Sequence, residues 1–175
     1  RAGDNKKLEQ AAQIFRESLI VLTRETDPVN WAAAQNNLGN ALLNLGQRQT
    51  DSKSLEDAVA AYRAVLEVRS RDKTPVDWAD SQNNLGIALY TLGERNGGDA
   101  QLVEAAAAYR AGLEVITRGA EPLRWGVLQN NLGNTLNALG ARKNDLVMLK
   151  DAASTFRAAL EVRTRDKFPL QWGST

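Results

Sequence analysis

The most regularly spaced polar side chains in this chain are amides. Asn36-Asn37, Asn83-Asn84 and Asn130-Asn131 are adjacent pairs set 47 residues apart, each followed by Leu-Gly. An amide donates and accepts at once, so a row of amides suits hydrogen bonding to a peptide backbone and is a poor source of nucleophilic or acid–base chemistry. The groups that supply such chemistry are thinly represented. The sequence has no histidine and no cysteine, which removes thiolate nucleophiles, disulfides, imidazole catalysis and Cys/His zinc sites. Carboxylates recur at Asp57, Glu104 and Asp151, spaced as a solvated row rather than as a converging pair. Neither GxxxxGK[ST] nor GxGxxG occurs to cradle phosphate. No catalytic residue, metal ligand or cofactor is therefore expected.

Arginines also form a row, Arg16, Arg63, Arg110 and Arg157, but 22 basic residues stand against 21 acidic ones. With the charges so balanced, these read as exposed helix arginines beside acidic neighbours, and neither nucleic acid nor an anionic membrane is expected as a partner. Apolar runs such as Ala105–Tyr109 fall far short of the ~20 residues a membrane span needs. The cytoplasm is the default location.

The elements that carry these rows follow from the same 47-residue period. Trp31, Trp78, Trp125 and Trp172 mark it, and 19 of 47 positions are identical in the units 31–77, 78–124 and 125–171. Residues 1–30 match the back part of a unit, with Phe15 on Tyr62 and Pro28 on Pro75, and 172–175 begin another. The whole chain, 1–175, reads as one array trimmed at both ends. Each unit predicts two helices. The first spans about Pro28–Leu45, with Trp31, Leu38, Leu42 and Leu45 on one stripe. Asp27 and Thr74 suit its N-cap, proline its first turn, and Gly46, Gly93 and Gly140 a left-handed C-cap. The second spans about Lys53–Arg69, with Leu55, Ala58, Tyr62 and Leu66 at helical spacing. Glu67–Arg71, Glu114–Arg118 and Glu161–Arg165 are spaced for pairing within that segment. Gly39, Gly86 and Gly133 fall mid-helix, where glycine costs about 1 kcal/mol against alanine. Close approach of the partner helix near Tyr62, Tyr109 and Phe156 is the expected compensation. No segment has strand periodicity, so the fold class is all-α.

The order Leu38-Gly39, Leu42, Gly46, Ala58, Tyr62, Val65-Leu66 and Pro75, repeated 47 and 94 residues on, resembles the tetratricopeptide repeat (TPR) family. The resemblance covers essentially the whole chain. It implies a right-handed superhelical α-solenoid of antiparallel helix-turn-helix repeats whose concave groove holds an extended peptide or a helix. The family's usual period is about 34 residues. Here the longer unit places extra residues after Gly46 and before the next helix, and Gln35, Gln82 and Gln129 stand where the family's tryptophan usually falls. A longer first helix, its extra turn packed by Trp31, Trp78 and Trp125, accounts for this. On that basis Trp78→Ala is expected to cost ~3–5 kcal/mol if the ring is buried. The Asn-Asn-Leu run resembles the long-period repeats of kinesin light chains and of some bacterial arrays.

Helical geometry then sorts the amides. With Leu38 and Leu42 turned to the partner helix, a step of about 100° per residue points Asn36 and Asn40 to the inner side with Ala33 and Leu43. The counterparts are Asn83, Ile87 and Tyr90, then Asn130, Asn134 and Asn137, and together they form the expected peptide-binding face. Asn37, Asn84 and Asn131 fall at its edge, placed either for ligand or for a ladder between neighbouring first helices. Gln35, Gln82 and Gln129 fall on the buried side, where a satisfied core hydrogen bond is expected.

Two functions remain open. One is a non-catalytic scaffold that binds a protein or peptide segment in the concave groove. The other is a structural spacer or self-associating segment of a larger protein, such as a signalling one, stacking end to end. Solenoids need polar caps at their termini, and neither Phe15 nor Trp172 belongs to one. The chain in isolation is therefore expected to self-associate through its ends. Sedimentation at high concentration checks this, and a strictly monomeric species would contradict it.

Overall fold

The computed structural model describes residues 2–50 and 52–162; Arg165 and Trp172, with the boundary of the unit they belong to, lie outside the described residues. Among the latter are seven helices and no strand: α1 (Ala2–Val21), α2 (Pro28–Arg48), α3 (Lys53–Leu66), α4 (Pro75–Asn96), α5 (Asp99–Leu113), α6 (Pro122–Lys143) and α7 (Leu146–Val162). Each packs on the next along the chain, and α2 also touches α4 as α4 touches α6. The result is an all-α solenoid of helical hairpins: α2–α3, α4–α5 and α6–α7, with α1 as the second helix of a preceding pair.

Within a hairpin the close approach is set by glycine. A Cβ placed on Gly39 would lie 2.7 Å from the Tyr62 ring, on Gly86 2.6 Å from the Tyr109 ring, and on Gly133 2.7 Å from the Phe156 ring. Those distances leave no room for a methyl group, which is why glycine stands mid-helix. Gly46, Gly93 and Gly140 turn out to serve the same purpose. They were expected to end the first helices, but α2, α4 and α6 run on to Arg48, Asn96 and Lys143. A Cβ at these glycines would meet Leu55 at 2.6 Å, Leu102 at 2.9 Å and Leu149 at 3.0 Å. The left-handed residues that end α4 and α6 are instead Gly97 (φ 67) and Asn144 (φ 51).

The helix starts also differ in detail. Asp27 caps α2, accepting from the Asn30 backbone N–H at 3.2 Å and from its side chain at 2.7 Å, and these bonds hold its carboxyl below the ordinary value. Thr74 does not cap α4, because its hydroxyl donates back to the Ser70 carbonyl. Asp145 accepts from the backbone N–H groups of Val147 and Met148 at the start of α7, a cap the sequence pattern did not single out. The second helices stop at Leu66 and Leu113, short of Arg69, whose guanidinium instead donates to the buried Ser81 hydroxyl.

The core is a continuous line of Leu38, Leu42, Leu55, Tyr62, Leu85, Leu89, Tyr109, Leu132 and Leu136 with interleaved alanines. Trp78 and Trp125 are only partly buried against it, and Trp31 is half-buried. Beside them the buried positions of this turn are Ala32 and Ala34, Ala79 and Ser81, then Gly126 and Leu128, so the tryptophans pack on the core alongside mostly small residues. With the indole only partly buried, Trp78→Ala is expected to cost less than the ~3–5 kcal/mol of a fully buried ring. The glycine contacts carry the stronger test. Gly86→Leu is expected to lower the melting temperature markedly. Gly86→Ala is expected to lower it as well, although alanine gains about 1 kcal/mol in helix propensity. Circular-dichroism melts check both, and an unchanged or higher melt for the alanine variant would mean that the Tyr109 ring yields freely.

Candidate interaction face of the first helices

The repeats are joined by polar groups that recur with the period. Asn84 donates from Nδ2 to Asn36 Oδ1 at 3.2 Å, and Asn131 to Asn83 Oδ1 at 3.0 Å. The second asparagine of each pair thus reaches back to the first asparagine of the pair before it. Asn37 precedes the first such rung and is exposed. At the other end Asn130 Oδ1 is buried with no hydrogen-bond partner among the described residues. Beside this ladder, Arg95 donates to the Gly46 carbonyl at 2.6 Å, and Arg142 to the Gly93 carbonyl at 3.2 Å and to Glu94 at 2.6 Å. Arg48, Arg95 and Arg142 are one periodic position. Their role could not be seen in advance, because a carbonyl acceptor leaves no mark in the sequence.

The loop charges pair across repeats rather than within one segment. Arg24 meets Glu67, Arg71 meets Glu114, and Arg118 meets Glu161 at 2.7 Å. The spacing Glu67–Arg71 is helical, but the helix ends at Leu66, so each arginine is free to reach forward one repeat. Both partners stay about half exposed, so each pair contributes ~0–1 kcal/mol. Arg118 also stacks over Trp125, 5.9 Å from the ring centre. In the outer arginine row, Arg16 lies 3.6 Å from Asp57 and Arg63 grips Glu104 with bonds of 2.7 and 2.8 Å.

The residues expected on the inner face are not all equivalent. Asn36 and Asn83 act as ladder acceptors. Asn40 accepts the Tyr62 hydroxyl at 2.7 Å. Leu43, expected to line the same open face, is buried in the core, because α2 is packed by α1, α3 and α4 together. Ile87 and Tyr90 are half-buried, while Asn134 and Asn137 are exposed. Gln35, Gln82 and Gln129 are half-buried, and their side chains make no hydrogen bond among the described residues. Gln35 borders an open hollow of about 320 Å³ beside α1 and α3, so it is solvated where a core hydrogen bond was expected.

Ile87, Tyr90 and Asn134 do come together. With Gln47, Thr91, Tyr109 and Asn131 they line a groove of about 260 Å³ between the C-terminal end of α2 and the middles of α4 and α6. Asn83 lines a separate hollow of about 80 Å³ with Asp80, Arg124, Val127 and Leu128. There burial raises the Asp80 carboxyl above its ordinary value, and Arg124, 3.3 Å away, opposes the rise. In the larger groove the lining carries amides, hydroxyls and one isoleucine, and no ionised group. Burial raises the Tyr90 phenol, with Glu94 adding to the effect, and raises Tyr62 and Tyr109 further. All three tyrosines are therefore neutral hydroxyls at physiological pH. None of the described helices is long and apolar enough to cross a membrane.

Two stretches, residues 31–72 and 78–115, match the family model described as tetratricopeptide repeat. Against the curated proteins, nothing matches the chain.

The ladder distinguishes three asparagines that the sequence treats alike. Asn84→Ala strips the donor from Asn36 and is expected to cost ~1 kcal/mol. Asn37→Ala is expected to be neutral or slightly stabilising, since it removes no bond and gains helix propensity. Denaturant unfolding separates them, and equal effects would remove the ladder's structural role.

Proposed function

We propose that this chain, which belongs to the tetratricopeptide-repeat family, is a non-catalytic scaffold that receives a protein or peptide segment in a groove along its first helices. Repeats of this family mediate protein–protein interaction, and the finer reading rests on one observation. The groove between α2, α4 and α6 is lined by Ile87, Tyr90, Asn131 and Asn134 and carries no ionised side chain. Amides that can both donate and accept beside an apolar surface suit an extended peptide, whose main chain offers a donor and an acceptor at every residue. Asn130 and Asn137 extend the same face along α6. The cytoplasm is the location that goes with this reading.

A second reading, an array extended end to end, is favoured by the last rung of the ladder. Asn130 Oδ1 is a buried acceptor without a donor among the described residues, and it occupies the place that Asn36 and Asn83 fill with an amide from the following repeat. Large apolar side chains lie exposed near both ends, Ile20 and Val21 on α1 and Leu146 and Val147 on α7. A further repeat, or another copy, would cover such surfaces.

Panning a phage-displayed library of random dodecapeptides against the whole chain separates the two. The scaffold reading expects selected peptides whose affinity falls at least 10-fold in Tyr90→Ala/Asn134→Ala while the thermal melt is retained. Undiminished affinity would count against the groove. Self-association that persists in that variant and is lost in Leu146→Ser/Val147→Ser would favour end-on stacking.

A further inference from the structure

Two facing positions of the repeat depart from the period, each in a different hairpin. The second-helix aromatic is Tyr62, then Tyr109, then Phe156, and the first-helix residue facing its tip is Asn40, then Ile87, then Asn134. In the first hairpin the two groups satisfy each other, the Tyr62 hydroxyl donating to Asn40 Oδ1 at 2.7 Å. The middle hairpin keeps the hydroxyl and loses the amide. Tyr109 packs on Gly86 as Tyr62 packs on Gly39, so its hydroxyl is delivered to the place where Ile87 now stands. Tyr109 is 1% exposed, lines the groove beside Ile87 and Tyr90, and has no hydrogen-bond partner among the described residues. The third hairpin keeps the amide, exposed at Asn134, and loses the hydroxyl.

The hydroxyl is not among the fully buried unpaired atoms, which among the described residues are Asn5 Oδ1 and Asn130 Oδ1. It therefore opens on the groove it lines, and the first hairpin shows what pairs such a group. There it donates to the carbonyl oxygen of an amide, the same chemical group as a peptide main-chain carbonyl. We infer that the Tyr109 hydroxyl is a specific anchor of the groove: it donates to a main-chain carbonyl of the bound peptide, with an apolar side chain of that peptide lying on Ile87 and Tyr90. The inference rests on the groove reading above and narrows it to one class of ligand, an extended segment that is uncharged where it crosses the middle repeat. The lining has no charge to offer, and the nearest ions are already engaged, Arg95 with the Gly46 carbonyl and Arg142 with Glu94 and Asp99. A charged side chain placed there would lose its hydration without finding a counter-ion. Asn134, on the neighbouring wall, can meet the next main-chain group.

The test uses the whole chain and the peptides selected from the dodecapeptide library, re-synthesised and titrated by fluorescence anisotropy. Tyr109→Phe removes only the hydroxyl, and the fold accommodates phenylalanine at that place in Phe156. It is expected to weaken binding about 3- to 10-fold, the worth of one hydrogen bond. Ile87→Asn rebuilds the Asn40 arrangement, closing the hydroxyl from within, and is expected to weaken binding at least as much. Tyr62→Phe removes a hydroxyl that is already paired and should leave affinity unchanged. The selected peptides are expected to share an apolar residue flanked by uncharged ones. Unchanged affinity in both Tyr109→Phe and Ile87→Asn, with binding still lost in Tyr90→Ala/Asn134→Ala, would overturn the anchor and leave the groove standing. Binding indifferent to Tyr90→Ala/Asn134→Ala as well would overturn both.

Discussion

The array depends on how closely two helices can approach at a pair of glycines. Gly39 and Gly46 are seven residues apart on α2, so they lie on one face, and Tyr62 and Leu55 are seven apart on α3. Run antiparallel, the helices set the aromatic ring on the first glycine and the leucine on the second. The same four positions recur in the next two hairpins. Mid-helix glycine costs about 1 kcal/mol each time, which the burial of a tyrosine or leucine side chain, about 1.5–3 kcal/mol, offsets. Burial of the second-helix aromatic and the reach of its hydroxyl to the first helix both follow from that approach.

Between hairpins the apolar core runs on without a break, and joints of a second kind are added to it. These are an amide ladder, arginines on the carbonyls of Gly46 and Gly93, and loop ion pairs. Each such bond contributes little by itself, but each recurs, as expected where a repeat contacts only its neighbours. Polar joints also fix register more sharply than apolar ones, because a slipped hydrogen bond is lost whereas a slipped methyl group finds another neighbour.

Where the repeats agree they build the array, and where they differ they distinguish one part of it from another. The tip of the second-helix aromatic and the residue facing it form a matched pair in the first hairpin and are mismatched in the other two. Leu43, Tyr90 and Asn137 make a second divergent row beside it, passing from buried to half-buried to exposed. Both rows converge on the groove at α4 and α6, so an array of nearly identical units acquires one place unlike the rest.

The period, the two-helix unit, the all-α class and the mid-helix glycines facing an aromatic were legible in the sequence, because each is a matter of local spacing read against helical geometry. The helix ends were less legible. Gly46 has the composition of a cap, and only the presence of Leu55 across the hairpin makes it a contact. Glu67 and Arg71 have the spacing of a helical pair, and only the end of α3 at Leu66 releases them to bond across repeats. The adjacent asparagines look equivalent in sequence, yet their roles split into ladder donor, ladder acceptor and groove lining according to which helix lies alongside. Spacing along one helix is a property of the chain. Which atoms a side chain meets depends on the neighbouring helix, and the tertiary structure alone decides where that helix lies.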